Sequence, residues 1–84
     1  MPKYRKRPVV IEARRFTGDP DSAIETWMGS AFETWIPSKR QLAVKTLEGE
    51  HIISAGDYII CGVAGEFYGC RSDIFEATYE SVDE

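Results

Sequence analysis

The stretch that decides the fold is residues 41–54, which read QLAVKTLEGEHIIS. Two runs of strand-forming residues flank Glu48 and Gly49, and a glycine in this place supplies the positive φ that tight hairpin turns require. With Glu48 and Gly49 as a two-residue loop, Val44 pairs with Ile53, so that both side chains lie on one face. The stretch therefore predicts an antiparallel hairpin.

A second hairpin is predicted downstream, where the most apolar segment, residues 58–63, precedes a turn at residues 64–65. The apolar segment is expected to be a central strand. A two-residue turn pairs Cys61 with Tyr68 and makes Cys70 a diagonal neighbour of Cys61, about 7–8 Å away at Cα and beyond the usual disulfide span. Two interpretations stay open: both thiols are small buried side chains, or a β-bulge brings them within bonding distance.

The N-terminal half adds two strands and a helix. Residues 8–16 alternate as a strand does, and residues 18–22, GDPDS, carry helix-start chemistry. The helix that follows has one apolar face and ends at Gly29. Because two turns of helix are too short to stand alone, Trp27 must dock on a sheet. Residues 31–36 are predicted to form a further short strand.

The C-terminal residues are predicted to form a helical turn capped by Asp73 and a final edge strand over residues 77–80. Together the elements describe an α+β fold: five to six antiparallel strands in a small curled sheet or partly open barrel, with one short helix in the N-terminal half. No linker or repeat divides the sequence. We therefore expect a single domain over residues 1–84, with a basic arm at residues 1–7 and an acidic tail at residues 81–84.

The composition excludes several classes of protein. With 84 residues, the chain is too short for a nucleotide-binding α/β domain joined to a substrate domain. No apolar run approaches the ~18 residues that span a bilayer, and no signal-peptide core follows the basic N-terminus, so no membrane contact is expected. Two cysteines do not make the disulfide framework of small secreted domains, which favours a reducing cytoplasm.

Charge is unevenly distributed along the chain. Residues 1–15 hold six basic side chains against Glu12 alone, a net charge of +5, whereas the rest of the chain carries −9. The basic residues and a stacking Tyr4 suit nucleic acid, but the acidic body repels a polyanion. We therefore favour an arm that neutralises the protein's own acidic surface or that of a second copy in a homodimer.

The sequence contains no assembled catalytic or metal-binding set. His51 is the single histidine and lies beside the predicted hairpin turn, and the two cysteines lack the paired spacing of structural zinc sites. Asp57 follows Gly56 and is explained by turn chemistry, and the glycines do not form a phosphate-binding motif. We expect no catalytic residues, no metal and no cofactor.

Three stretches resemble a family of small bacteriophage and prophage proteins. They are KYRKRPVVIEA at residues 3–13, TLEG at residues 46–49, and GDYII-x-GV-x-GEFY-x-C-x-x-DIFE-x-TY at residues 56–79. Members of that family often have proline where this chain has Gly69. The resemblance implies a phage or prophage origin and an accessory role in the host cytoplasm, and it transfers no catalytic residues.

The leading hypothesis is a non-enzymatic phage or prophage accessory protein that binds a host or phage macromolecule, because aromatic and charged residues around the second hairpin suit recognition. One alternative is a nucleotide-like small-molecule binder, whose pocket is framed by tryptophans, tyrosines and the arginines of the arm. Another is nucleic-acid binding through the arm. The candidate binding residues are Arg5, Arg7, Arg14, Arg15, Trp27, Trp35, Asp57, Tyr58, Glu66 and Tyr68.

Overall fold

A computed structural model describes residues 1–5 and 8–82. Parts of the predicted arm and tail, residues 6–7 and 83–84, lie outside the described residues. The strands are β1 (Glu12–Arg15), β2 (Phe32–Ile36), β3 (Gln41–Thr46), β4 (Gly49–Ser54), β5 (Tyr58–Cys61) and β6 (Phe67–Cys70). The helices are α1 (Ser22–Met28) and α2 (Ser72–Thr78), with short 3-10 helices at Gly29–Ala31 and Pro37–Lys39. The predicted α+β class is confirmed.

The six strands form two small three-stranded sheets. Sheet A has the order β1-β5-β6 and sheet B the order β2-β3-β4, and every pairing is antiparallel. β5 is central in sheet A, as its apolar sequence predicts, and β2 matches the strand predicted over residues 31–36. The strands do not close into a barrel.

The core joins both sheets and the first helix. Ile59 of sheet A and Leu42, Val44 and Ile53 of sheet B are fully buried, and Met28 of α1 packs among them. Burial of these side chains supplies the main favourable term for holding the two sheets together.

The sheets approach each other closely at Gly69 of β6. A Cβ atom at this residue would lie 2.7 Å from Cγ1 of Ile53, well inside the distance at which two carbon atoms attract. Glycine therefore suits this point of β6, where the Gly69 backbone packs closely against the Ile53 side chain of sheet B. The pairing of β5 and β6 continues past Gly69 without a bulge.

The hairpin of β3 and β4 has a register different from the predicted one. Thr46 pairs with Gly49, so the loop consists of Leu47 and Glu48. The Thr46 hydroxyl accepts a hydrogen bond from the Glu48 amide (3.1 Å) and donates one to the Gly49 carbonyl (2.6 Å). The predicted loop of Glu48 and Gly49 is wrong because this side chain closes the turn earlier. The shift is an even number of residues, so each side chain stays on its predicted face.

The hairpin of β5 and β6 is shifted from its prediction by one residue. Cys61 pairs with Phe67 instead of Tyr68, because the connecting loop covers residues 62–66 and not two residues alone. An odd shift moves every side chain of one strand to the opposite face. Cys61 and Cys70 therefore lie on opposite faces of sheet A as free thiols, and the bulge that a disulfide needs is not formed.

The N-terminal half follows its prediction in outline. β1 is shorter than the predicted strand over residues 8–16. The carboxylate of Asp21 caps α1 by accepting a hydrogen bond from the Ile24 amide (2.8 Å). Trp27 packs, partly buried, against the core, which confirms that α1 docks through this residue.

The C-terminal segment departs from its prediction. α2 occupies Ser72–Thr78, so the edge strand predicted over residues 77–80 is not formed and the described chain has two helices instead of one. Its N-cap is Arg71, and Asp73 lies in the first turn, where it forms a 2.8 Å ion pair with Arg71. Within residues 1–5 and 8–82, no helix has the length and apolar character needed to cross a membrane.

Candidate functional site

A groove of about 1190 Å³ lies on the face of sheet A that is turned away from sheet B. Tyr58 and Tyr68 point to this face, because Ile59 and Gly69, the next residues along their strands, face sheet B. Residues 8–14, α2 and the segment after α2 line the rest of the groove. Its volume is somewhat above the range of about 300–1,000 Å³ that is typical of small-molecule pockets.

Three stacked aromatic rings form one part of the groove. Phe75 of α2 lies on Tyr58 with ring centroids 3.9 Å apart and an interplanar angle of 9°. Tyr79 stacks on Phe75 at 4.9 Å and 25°. Phe75 and Tyr79 are four residues apart, the spacing that puts two side chains on one helix face. Aromatic contacts therefore hold α2 on sheet A.

Tyr68 lies beside this stack. Burial, a hydrogen bond with Tyr79 and the negative charge of Glu66 raise the pKa of Tyr68 to about 12. The phenol therefore keeps its proton, and with it a hydrogen-bond donor, to a higher pH than an ordinary tyrosine does.

Four valines line the groove with much of their surface in water. Val10 is 75% exposed and Val63 is 74% exposed, and Val82 and Val9 expose 61% and 51% of their surface. Scattered exposed valines need no explanation, but several around one cleft indicate a surface that a partner covers.

The charged side chains of the groove are mostly acidic. Glu12, Glu66 and Glu80 line it together with Arg14. Glu12 accepts a hydrogen bond from the Trp27 indole (3.1 Å), and the Arg14 guanidinium lies 4.9 Å from the centre of the same indole. Both of these charged groups therefore lie on the Trp27 side of β1, and the acidic side chains left in the groove are Glu66 and Glu80. They favour a ligand that is apolar and carries positive charge.

A smaller cavity of about 560 Å³ adjoins the groove and shares Val10 and Val63 with it. Trp27 and Phe67 also line this cavity, with the edge of one ring against the face of the other at a centroid distance of 5.1 Å. The apolar surface of the groove thus continues around the end of sheet A to the side on which α1 packs.

The loop of residues 62–66, which lies between the two cavities, is fixed by its own hydrogen bonds. The Gly62 amide donates to the Glu66 carbonyl (2.7 Å), and the Glu66 carboxylate accepts a hydrogen bond from the Ala64 amide (3.3 Å). A Cβ atom on Gly62 would overlap that carboxylate. Glu66 therefore shapes the loop as well as lining the groove.

The structure brings three of the predicted binding residues together in the groove: Tyr58, Glu66 and Tyr68. Arg14 also borders the groove, but its guanidinium lies over the Trp27 indole. The two predicted tryptophans lie elsewhere. Trp27 is on the other face of sheet A, and Trp35 belongs to sheet B, where its indole donates to the Gly18 carbonyl (3.2 Å). The predicted pocket that combines both tryptophans with both tyrosines is not formed.

The remaining predicted residues are not part of the groove lining. The Asp57 carboxylate accepts a hydrogen bond from the Ser54 amide (3.0 Å), which is the turn role its sequence context predicts. Arg15 is exposed on β1 opposite Tyr58, and Arg5 is exposed in the arm. Arg7 lies outside the described residues.

Sequence reasoning missed the part of the groove that α2 contributes. Phe75, Tyr79 and Val82 line it, but the prediction placed a strand over residues 77–80 and so separated them. The four-residue spacing of Phe75 and Tyr79 was the available signal for a helix face.

The structure shows no group of three metal-ligating side chains among residues 1–5 and 8–82. His51 is exposed on β4. Comparisons of the chain with protein-family models, with curated proteins and with solved structures find no match. The resemblance to phage proteins therefore stays a prediction, and the groove is the feature from which a function can be argued.

Proposed function

We propose that the protein is a non-enzymatic accessory protein of phage or prophage origin, which binds a host or phage macromolecule in the host cytoplasm through the groove on sheet A. The observation that carries this proposal is the set of exposed valines around the stacked rings of Tyr58, Phe75 and Tyr79. Apolar surface that stays in water favours association, because a partner that covers it releases that water.

The lining of the groove supports a protein segment as the partner. Valines and aromatic rings bind apolar side chains, and the carboxylate of Glu80 attracts basic ones. The Tyr68 hydroxyl can form a hydrogen bond with a backbone group of such a segment. A homodimer is part of the proposal, since the chain combines a basic arm with an acidic body.

Affinity capture with matched variants tests this function. Val63→Asp places a charge in the groove on an exposed loop, and Leu47→Asp makes the same change on the fully exposed hairpin tip of sheet B. The groove variant is expected to lose about tenfold or more of the captured macromolecule, whereas the hairpin variant retains it. Equal capture by the wild type and both variants would rule the groove out as the binding surface.

A nucleotide-like small molecule is a second candidate, supported by the stacked rings of Tyr58 and Phe75 and by the exposed Arg15, which pairs with Tyr58. Aromatic planes can stack on a nucleotide base, and a guanidinium can bind its phosphate. Thermal unfolding across a nucleotide panel tests it: a rise in Tm that Tyr79→Ala abolishes supports small-molecule binding, and an unchanged Tm for every nucleotide argues against it.

Nucleic-acid binding through the arm is a third candidate. It is supported by the exposure of Lys3, Tyr4 and Arg5 and is opposed by the acidic body. It predicts binding that weakens steeply with salt and that disappears when the basic residues of the arm are neutralised.

A further inference from the structure

The described part of the N-terminal arm, residues 1–5, is exposed and carries recognition chemistry. Tyr4 exposes 94% of its surface, and Met1 is fully exposed. Lys3 and Arg5 flank Tyr4, and within the described part of the chain neither forms an ion pair. An exposed aromatic ring between two cations fits an acidic surface that also offers aromatic contacts.

The groove on sheet A is such a surface. It presents the stacked rings of Tyr58, Phe75 and Tyr79, and the acidic residues Glu66 and Glu80 line it. Among the described residues, Glu80 forms no ion pair, so its charge faces solvent at the groove. Arm and groove are therefore complementary in charge and in aromatic character.

We infer that residues 1–5 of one copy bind in the groove of a second copy, and that residues 1–5 of the second copy bind in the groove of the first. The inference rests on the groove of the proposed function and names a second copy of this chain as an occupant. Tyr4 enters the aromatic part of the groove, and Lys3 and Arg5 lie near its carboxylates.

A second copy is a better occupant than the chain's own arm. Residues 8–11 of the same chain already line the groove, and residues 1–5 stay exposed in the single chain. Each copy has one arm and one groove, so a single two-fold axis satisfies both contacts, as in other isologous dimers. The contact also covers Val9 and Val10, which are exposed in the single chain.

The exchange makes the arm a competitor of the macromolecular partner. An arm that occupies the groove covers its valines in the dimer, and a partner binds by replacing it. The chain that lacks residues 1–5 should therefore be monomeric and should capture more partner than the full chain does.

The mass in solution over a concentration series tests the exchange. The full chain is expected to reach twice the 9.5 kDa mass of one copy, and Tyr4→Ala is expected to raise the dimer dissociation constant about tenfold. Leu47→Ala, which removes an equally exposed apolar side chain from the hairpin tip, should leave it unchanged.

Charge reversal tests whether the arm of one copy contacts the groove of the other. Chains with Lys3→Glu and Arg5→Glu should dimerise poorly alone, and each reversed charge should weaken the dimer about threefold. Mixed with Glu80→Lys chains, they should form a heterodimer, because the acidic arm then meets a basic groove. Glu33→Lys, on β2 of sheet B, is the matched control and should not restore dimerisation.

Three results would overturn the inference. A dimer that persists without residues 1–5 uses another surface. A monomer whose arm amides are protected from hydrogen exchange has the arm in its own groove, and a monomer without that protection has an unbound arm. The proposed function fails separately, when Val63→Asp captures as much macromolecule as the wild type does, so the two failures are distinguishable.

Discussion

The ring of Tyr58 lies parallel to the ring of Phe75, and this 3.9 Å contact joins the last helix to the middle strand of sheet A. α2 has seven residues and none of them is buried. A helix this short does not persist in water without tertiary contacts. The stack on Tyr58, together with the hydrogen bond between Tyr68 and Tyr79, therefore holds α2, and with it one side of the groove, in place.

Replacing Phe75 with alanine is expected to release α2. The loss of the stacked ring should lower the free energy of unfolding by about 2 kcal/mol, since the side chain is partly buried. Hydrogen exchange of the α2 amides and urea unfolding measure the two effects. Glu76→Ala on the exposed side of the same helix is the control. If the α2 amides of Phe75→Ala remain as protected as in the wild type, other contacts hold the helix.

Gly69→Ala is expected to destabilise the protein by about 1–3 kcal/mol, because the new methyl group meets Ile53 between the sheets. Chemical unfolding measures the loss. Ile53→Ala removes the opposing atoms, so the cost of Gly69→Ala should be smaller in that background than in the wild type. Equal costs in both backgrounds would show that the two residues do not meet.

Cys61 and Cys70 are expected not to form a disulfide with each other. They lie on opposite faces of sheet A, a placement that no side-chain rotation can bridge. Thiol titration of the folded monomer after mild oxidation should therefore find no intramolecular disulfide, and its unfolding midpoint should not depend on reductant. A monomer whose mass falls by two hydrogen atoms on oxidation, as disulfide formation requires, would contradict the register of β5 and β6.

Stability is expected to fall at alkaline pH through Tyr68. The pKa of its phenol is 10.0 in the unfolded chain and about 12 in the folded chain. Between these values the unfolded chain has released a proton that the folded chain retains, so a rise in pH through this window favours unfolding. Urea midpoints at about pH 8 and about pH 11 measure the effect. Tyr68→Phe should lose less stability over this interval than the wild type; an equal loss would assign the effect to other groups.

The strands were predictable because glycine turns and apolar runs report local structure. Residues 41–54 predicted a hairpin, and residues 58–63 predicted a central strand, which the structure shows as Tyr58–Cys61. Their registers were not predictable, since each depends on how a loop closes. The Thr46 hydroxyl sets one loop, and the Glu66 carboxylate, folded over Gly62, sets the other.

The part of the site that lies on a hairpin could be predicted from local sequence, whereas the part that α2 contributes could not. Tyr58 and Tyr68 belong to a hairpin that sequence reasoning singled out, and both line the groove. The joint contribution of Phe75 and Tyr79 was missed because the strand predicted over residues 77–80, where Thr78 and Tyr79 favour a strand by local propensity, separated Tyr79 from the helical turn that holds Phe75. Stacking on Tyr58 selects the helix instead, and a contact between segments that are distant in sequence leaves no local pattern.

The separation of the two tryptophans gives each sheet its own optical reporter. The Trp27 indole contacts Phe67 and Glu12 of sheet A, whereas Trp35 is a residue of sheet B. In a chain with Trp35→Phe, the fluorescence follows sheet A and responds to occupation of the adjoining groove. In a chain with Trp27→Phe, it follows sheet B. Coincident denaturation curves from the two chains would mean that the halves melt as one cooperative unit.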